Sequence, residues 1–212
     1  ERITDKGVTV LDTMTIRMPV IVSEIFQLAC KNADTRPLRV AIAKLVQEKV
    51  QTNKLRLDSM AGHYPPILGA LWQLMATTDG HPIKQLLEKH SDESNRLRAT
   101  IAASLAQRDE DGKVVLHAII KQSPSAAMYF INLVLADHAN ENNLCSVLAA
   151  LSAAEDEQTG WQLLTGHMDK AQKQAVTERM CDCLQYLDTK KLILLASEIN
   201  RALIDDHCVY HG

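Results

Sequence analysis

Aromatic residues make up only 4% of this 212-residue chain, and it holds just eight glycines and six prolines. Sandwiches and barrels need many turn residues and strands rich in β-branched or aromatic side chains, so this scarcity argues against both. No apolar run reaches the roughly 20 residues that a bilayer-crossing helix needs, which predicts no membrane span. Excess positive charge is missing too. Lys and Arg total 23 against 26 Asp and Glu, a formal net charge of −3, and a dedicated nucleic-acid binder needs a basic face that this total does not supply. Five cysteines, an odd number without framework spacing, predict reduced thiols and a cytoplasmic setting rather than a disulfide scaffold. Glu1 follows no initiator Met and no basic-then-apolar leader, and the chain is expected to be a fragment of a longer one.

What is present is a globular share of hydrophobic residues, 46%, arranged with the helical period. Ile67, Leu68, Leu71, Leu74 and Met75 form one apolar stripe behind Pro65 and Pro66, and Leu144, Val147, Leu148 and Leu151 form another. Val176, Met180, Cys183, Leu184 and Leu187 form a third, followed by Leu192, Leu195, Ile199 and Leu203. If that third stripe is buried, Leu184→Ala should cost about 2–5 kcal/mol. Helix starts are marked by a short polar or Gly residue ahead of a proline: Thr35 before Pro37, Gly80 and His81 before Pro82, Ser123 before Pro124. The pattern predicts an all-α fold of ten or eleven helices joined by short polar connections, with no strand.

Gly7, Gly62, Gly112 and Gly160 recur about every 50 residues, which predicts an irregular helical-repeat solenoid of about three helices per unit. Residues 1–212 are read as one such domain. The third unit opens Asp109-Glu110-Asp111-Gly112-Lys113-Val114-Val115-Leu116-His117-Ala118, which resembles the start of an ankyrin repeat, with Val114 and Val115 in place of the usual Thr-Pro. The first unit, Asp5-Lys6-Gly7-Val8-Thr9-Val10-Leu11, is a weaker echo. The resemblance implies a Gly turn of unusual backbone angle, an inward Leu116 and a His117 that bonds backbone between neighbouring units. Helix-extended repeats of this irregular kind are similar to those of effector proteins that intracellular bacteria deliver into host cells, which would place the chain in host cytoplasm.

Chemistry-bearing motifs are few. No G-x-S-x-G, P-loop, G-x-G-x-x-G or H-E-x-x-H occurs, so no catalytic residue is assigned. Cys181 and Cys183 lie two apart, about 200° round a helix, and cannot share one ion there. His207, Cys208 and His211 fall short of the four ligands of a structural zinc site and read as a polar tail, so neither metal nor cofactor is expected. Arg36, Arg39, Lys44, Lys49, Lys54 and Arg56 face Glu48 alone in their segment, yet the helical angle spreads them round the surface. Trp72 and Trp161 are expected to pack in the core or between repeats, with Trp161 also a candidate anchor.

These readings predict a non-enzymatic module that binds another protein along the loops opening each repeat. Arg108, Glu110, Lys113 and Lys121 flank the best-defined of those turns and, with Trp161, are the expected contacts. The alternative is a helical enzyme or enzyme-accessory domain with Cys145, Cys181 or Cys208 as nucleophile.

Overall fold

A computed structural model describes residues 10–31, 33–49, 55–89, 91–109, 111–136, 140–155 and 157–184, with residues 190 and 193. The described residues are mostly helical, as the apolar period predicts. The described residues hold twelve α-helices, α1 (Val10–Arg17), α2 (Pro19–Lys31), α3 (Arg36–Val46), α4 (Arg56–His63), α5 (Ile67–Met75), α6 (His81–Glu88), α7 (Asp92–Ala106), α8 (Val115–Gln122), α9 (Pro124–Leu135), α10 (Glu141–Ser152), α11 (Gly160–Gly166) and α12 (Lys170–Leu184). One two-stranded hairpin pairs β1 (Ala154–Glu155) with β2 (Gln158–Thr159). The chain divides into two compact units, Glu1–Ser104 and Leu105–Gly212, with the division near the end of α7.

In the first unit α2 packs against α5, and α1, α3 and α4 complete the surround. The stripe expected behind Pro65 and Pro66 is buried in full: Ile67, Leu68 and Leu71 at 0%, Leu74 at 1% and Met75 at 5% exposure. A fully buried Leu contributes about 1.5–3 kcal/mol by transfer alone. Several buried polar groups tie helices of this unit together. Arg56, the first residue of α4, is buried and donates to the Leu45 carbonyl at 3.0 Å and to Glu48 Oε2 at 2.8 Å, tying α4 to the end of α3. Ser104 Oγ donates to the Thr100 and Ala61 carbonyls, and Thr100 Oγ1 donates to Asp58.

In the second unit α8 packs on α9 and α11, and α10 on α9 and α11. Leu144, Val147, Leu148 and Leu151 are buried as the second stripe predicts. Ser123 caps α9 as expected, its hydroxyl accepting from the Ala126 N–H at 3.3 Å with Pro124 at the first turn. Asn140 caps α10, and Thr159 with Gln162 forms a capping box on α11.

Three expectations shift. In the third stripe Val176 is buried, but Met180 and Leu184 are only half-buried, because α12 lies against α9 alone among its principal neighbours. The Cys183 side chain, Leu187 and the stripe from Leu192 to Leu203 lie outside the described residues. Thr35 precedes α3 but does not cap it, since its hydroxyl turns back to donate to the Ala29 carbonyl at 2.7 Å. Gly62 sits inside α4 rather than in a turn, and the antiparallel bridge ahead of that helix pairs Lys49 with Leu55.

Candidate interaction surface

Three antiparallel pairings each precede a short helix. Lys49 bridges Leu55 ahead of α4, Arg108 bridges Val114 ahead of α8, and β1 pairs with β2 ahead of α11. The same hydrogen bond accompanies each: the N–H of the helix's first residue donates to a carbonyl on the facing segment. Arg56 donates to Glu48 at 2.8 Å, Val115 to Gln107 at 2.9 Å and Gly160 to Ala153 at 3.0 Å. Strands one or two residues long show no readable alternation, which is why the sequence pattern predicts no strand here.

The turn at 108–114 is built by its own residues. Asp109 Oδ1 accepts from the N–H groups of Asp111 at 3.0 Å and Lys113 at 2.9 Å, an Asx-type brace. Gly112 has φ of +78° with open space around its Cα, so its conformation, not crowding, calls for glycine. Arg108 donates to the Gly112 carbonyl at 2.6 Å across the turn.

Behind the turn lies a buried polar cluster. His117 is 1% exposed on α8; its Nε2 stands 3.1 Å from the Ala150 carbonyl at the end of α10, and its Nδ1 3.3 Å from Glu155 Oε2 on β1. The other Glu155 oxygen accepts from the Val114 N–H, the N-cap residue of α8. Glu155 therefore holds the 108–114 turn and the β1–β2 hairpin side by side on one edge of this unit. Gly160 lets His117 approach: a Cβ there would sit 2.5 Å from His117 Nε2 and 2.8 Å from the Ala150 carbonyl oxygen. His117 bonds the backbone of α10. The carboxylate partner, far along the chain, leaves no local sequence signal.

Of the expected contact residues, Arg108 and Lys113 are exposed on the same turn. Lys121 is exposed in the last turn of α8, about 9 Å along the axis from the turn by helical rise, so it borders the edge rather than sharing its tip. Trp161 is half-buried in the first turn of α11, beside the β1–β2 hairpin. Glu110 lies outside the described residues.

The basic segment is largely paired within its own unit. Arg36 and Arg39 approach the Asp79 carboxylate at 3.4 and 3.0 Å, Lys49 stands 3.2 Å from Glu93, and Arg56 holds Glu48. The Arg39 hydrogen bond, then Arg36, holds the Asp79 carboxyl below its ordinary range against the opposing effect of burial. Lys44 is exposed and Lys54 lies outside the described residues. Burial pushes the Cys30 thiol up despite the nearby Arg39, which makes it a weaker nucleophile. Cys145 is half-buried and Cys181 exposed. His207, Cys208 and His211 lie outside the described residues; among those described, no three His, Cys, Asp or Glu converge to hold a metal ion, and no helix is long and apolar enough to cross a membrane.

Comparison with protein-family models, curated proteins and solved structures finds no match to this chain.

Proposed function

We propose that the chain is a non-enzymatic interaction module of irregular, ankyrin-like helical repeats that binds another protein along its hairpin edge. The observation that carries this reading is the thrice-repeated bond, Arg56 to Glu48, Val115 to Gln107 and Gly160 to Ala153, each made by the first residue of a short helix that follows an antiparallel pairing. Units of that kind bury their mutual interfaces and leave the connecting turns free for recognition. An odd number of cysteines without framework spacing suits a cytoplasmic setting, that of a host cell if the chain belongs to a delivered effector. Arg108 and Lys113 supply the charge at the edge, with Trp161 as the aromatic anchor and Lys121 at the border. Their chemistry favours a partner presenting carboxylates around a small apolar spot.

The test is quantitative capture from a cell lysate with the whole chain as bait, beside a variant carrying Arg108→Glu, Lys113→Glu and Lys121→Glu. Loss of the captured partner with stability changed by no more than about 0.5 kcal/mol is the expected result, because exposed substitutions away from caps and cores move stability little. Undiminished capture by the triple variant overturns the assigned edge.

A further inference from the structure

Three times along the chain a short helix gives way, through proline, to a second helix: α1 to α2, α4 to α5 and α8 to α9. Aligned on Pro19, Pro65 and Pro124, these second helices carry an apolar stripe at matching positions. Ile21 matches Ile67 and Ala126, Ile25 matches Leu71 and Phe130, and Leu28 matches Leu74 and Leu133. The i, i+4, i+7 spacing puts each trio on one helix face. In α5 the trio is exposed by 0%, 0% and 1%, and in α9 by 0%, 0% and 7%. In α2 the same face lies open: Ile21 is 44% exposed, Leu28 is 60% exposed and Ile25 is half-buried. The opposite face of α2, Val22, Phe26 and Ala29, is buried, and α2 is the principal neighbour of α5.

We propose that the Ile21, Ile25 and Leu28 stripe of α2 seats an amphipathic helix of a partner protein, one that carries a complementary apolar stripe with a carboxylate at each end. The inference rests on reading α2, α5 and α9 as equivalent repeat helices. A helix is the occupant because the matching helix α5 has a helix, α2, as its main neighbour. Charge selects which helix. Exposed Arg17 ends α1, two residues ahead of the first residue of α2, and exposed Lys31 ends α2, so the helix is flanked by a basic residue at each end, while exposed Glu24 lies near its middle. A second copy docked antiparallel about Glu24 would set Arg17 against Lys31 and Glu24 against its own mate, which like-charge repulsion opposes. An anionic lipid surface would meet Glu24 at the centre of the face.

The probe is a fluorescein-labelled synthetic helical peptide with Leu at i, i+4 and i+7 and Glu at both ends, titrated with the full chain by fluorescence anisotropy. Saturable binding is expected, weakened about tenfold or more by Ile21→Glu, by Leu28→Glu, or by Lys in place of the peptide's terminal Glu residues. The Arg17→Glu, Lys31→Glu chain should reverse the preference and bind the Lys-ended peptide better. Circular dichroism of each variant checks that the helices remain. No saturable binding, or binding indifferent to Leu28→Glu and to the charge swap, overturns the proposal. So does a dimer in sedimentation, or pelleting with phosphatidylserine vesicles, that Leu28→Glu abolishes in the absence of peptide binding. If the peptide fails while the Arg108, Lys113 and Lys121 reversals still weaken partner capture, the hairpin-edge reading stands and the α2 seat alone falls.

Discussion

Gly160→Ala tests the packing beneath the hairpin edge with a single methyl group. Gly160 opens α11 with a negative φ, so the backbone accepts alanine, and by helix propensity alone the change should be neutral or stabilising by up to about 1 kcal/mol. Packing dictates the opposite sign. The new Cβ would fall 2.5 Å from His117 Nε2 and 2.8 Å from the Ala150 carbonyl oxygen, both well inside van der Waals contact. Neither neighbour is free to withdraw, since the imidazole is held between Ala150 and Glu155 and the carbonyl belongs to the last turns of α10. Overpacking of this kind costs about 1–3 kcal/mol, and losing the 3.1 Å bond to Ala150 adds about 0.5–1.5 kcal/mol. A net loss of about 0.5–4.5 kcal/mol remains after the propensity gain. Trp72 and Trp161 are the only tryptophans, so in a Trp72→Phe background urea unfolding followed by fluorescence reports the second unit through Trp161. A neutral or stabilised Gly160→Ala protein would refute the close approach of α8, α10 and α11 at this point.

Gly62→Ala is the control of opposite sign: its Cβ would meet nothing nearer than Thr100 Cγ2 at 3.8 Å, and a gain of about 0.5–1 kcal/mol is expected by the same urea assay read at Trp72. Leu71→Ala, at 0% exposure, should cost about 2–5 kcal/mol, whereas half-buried Leu184→Ala should cost no more than about 1–2 kcal/mol. Because its folded carboxyl titrates below its unfolded value, Asp79 contributes stability that is present above the ordinary carboxylate range and fades as pH falls through the lowered value. Asp79→Asn should therefore flatten the acid side of the stability-pH curve, and an unchanged slope would show the Arg39 bond to be inconsequential. Ellman's reagent near neutral pH should label exposed Cys181 well before Cys30, whose thiol burial pushes up; a burst at Cys30 would contradict that ordering.

The helical fold was legible because burial imposes the 3.6-residue period on every packed helix, and Ile67 to Met75 and Leu144 to Leu151 are buried where their spacing says they should be. Proline with a preceding serine marked the start of α9 for an equally local reason. Tertiary choices escaped the pattern. Thr35 has the right position for a cap, but the Ala29 carbonyl competes for its hydroxyl. Gly62 resembles the other turn glycines in spacing alone; an exposed glycine in the last turn of a helix satisfies the same spacing without making a turn. The edge itself was half legible. Gly112 announced its turn through the polar run Asp109 to Gly112, and its φ of +78° gives the physical reason. Glu155, which clamps Val114 and His117, has no local partner in sequence and became visible only once β1 was placed beside α8. The open face of α2 was hidden for the converse reason, because an exposed Ile21 or Leu28 reads as core wherever hydrophobicity alone is counted.

The central claim is recognition through the hairpin edge, and amide hydrogen exchange of the full chain with and without its captured partner tests it most directly. Protection on binding should concentrate in the peptides spanning 107–115 and 153–162, the turn that carries Arg108 and Lys113 and the hairpin that leads to Trp161, with the buried stripes of α9 and α10 unchanged. Protection that leaves both segments untouched would contradict the account.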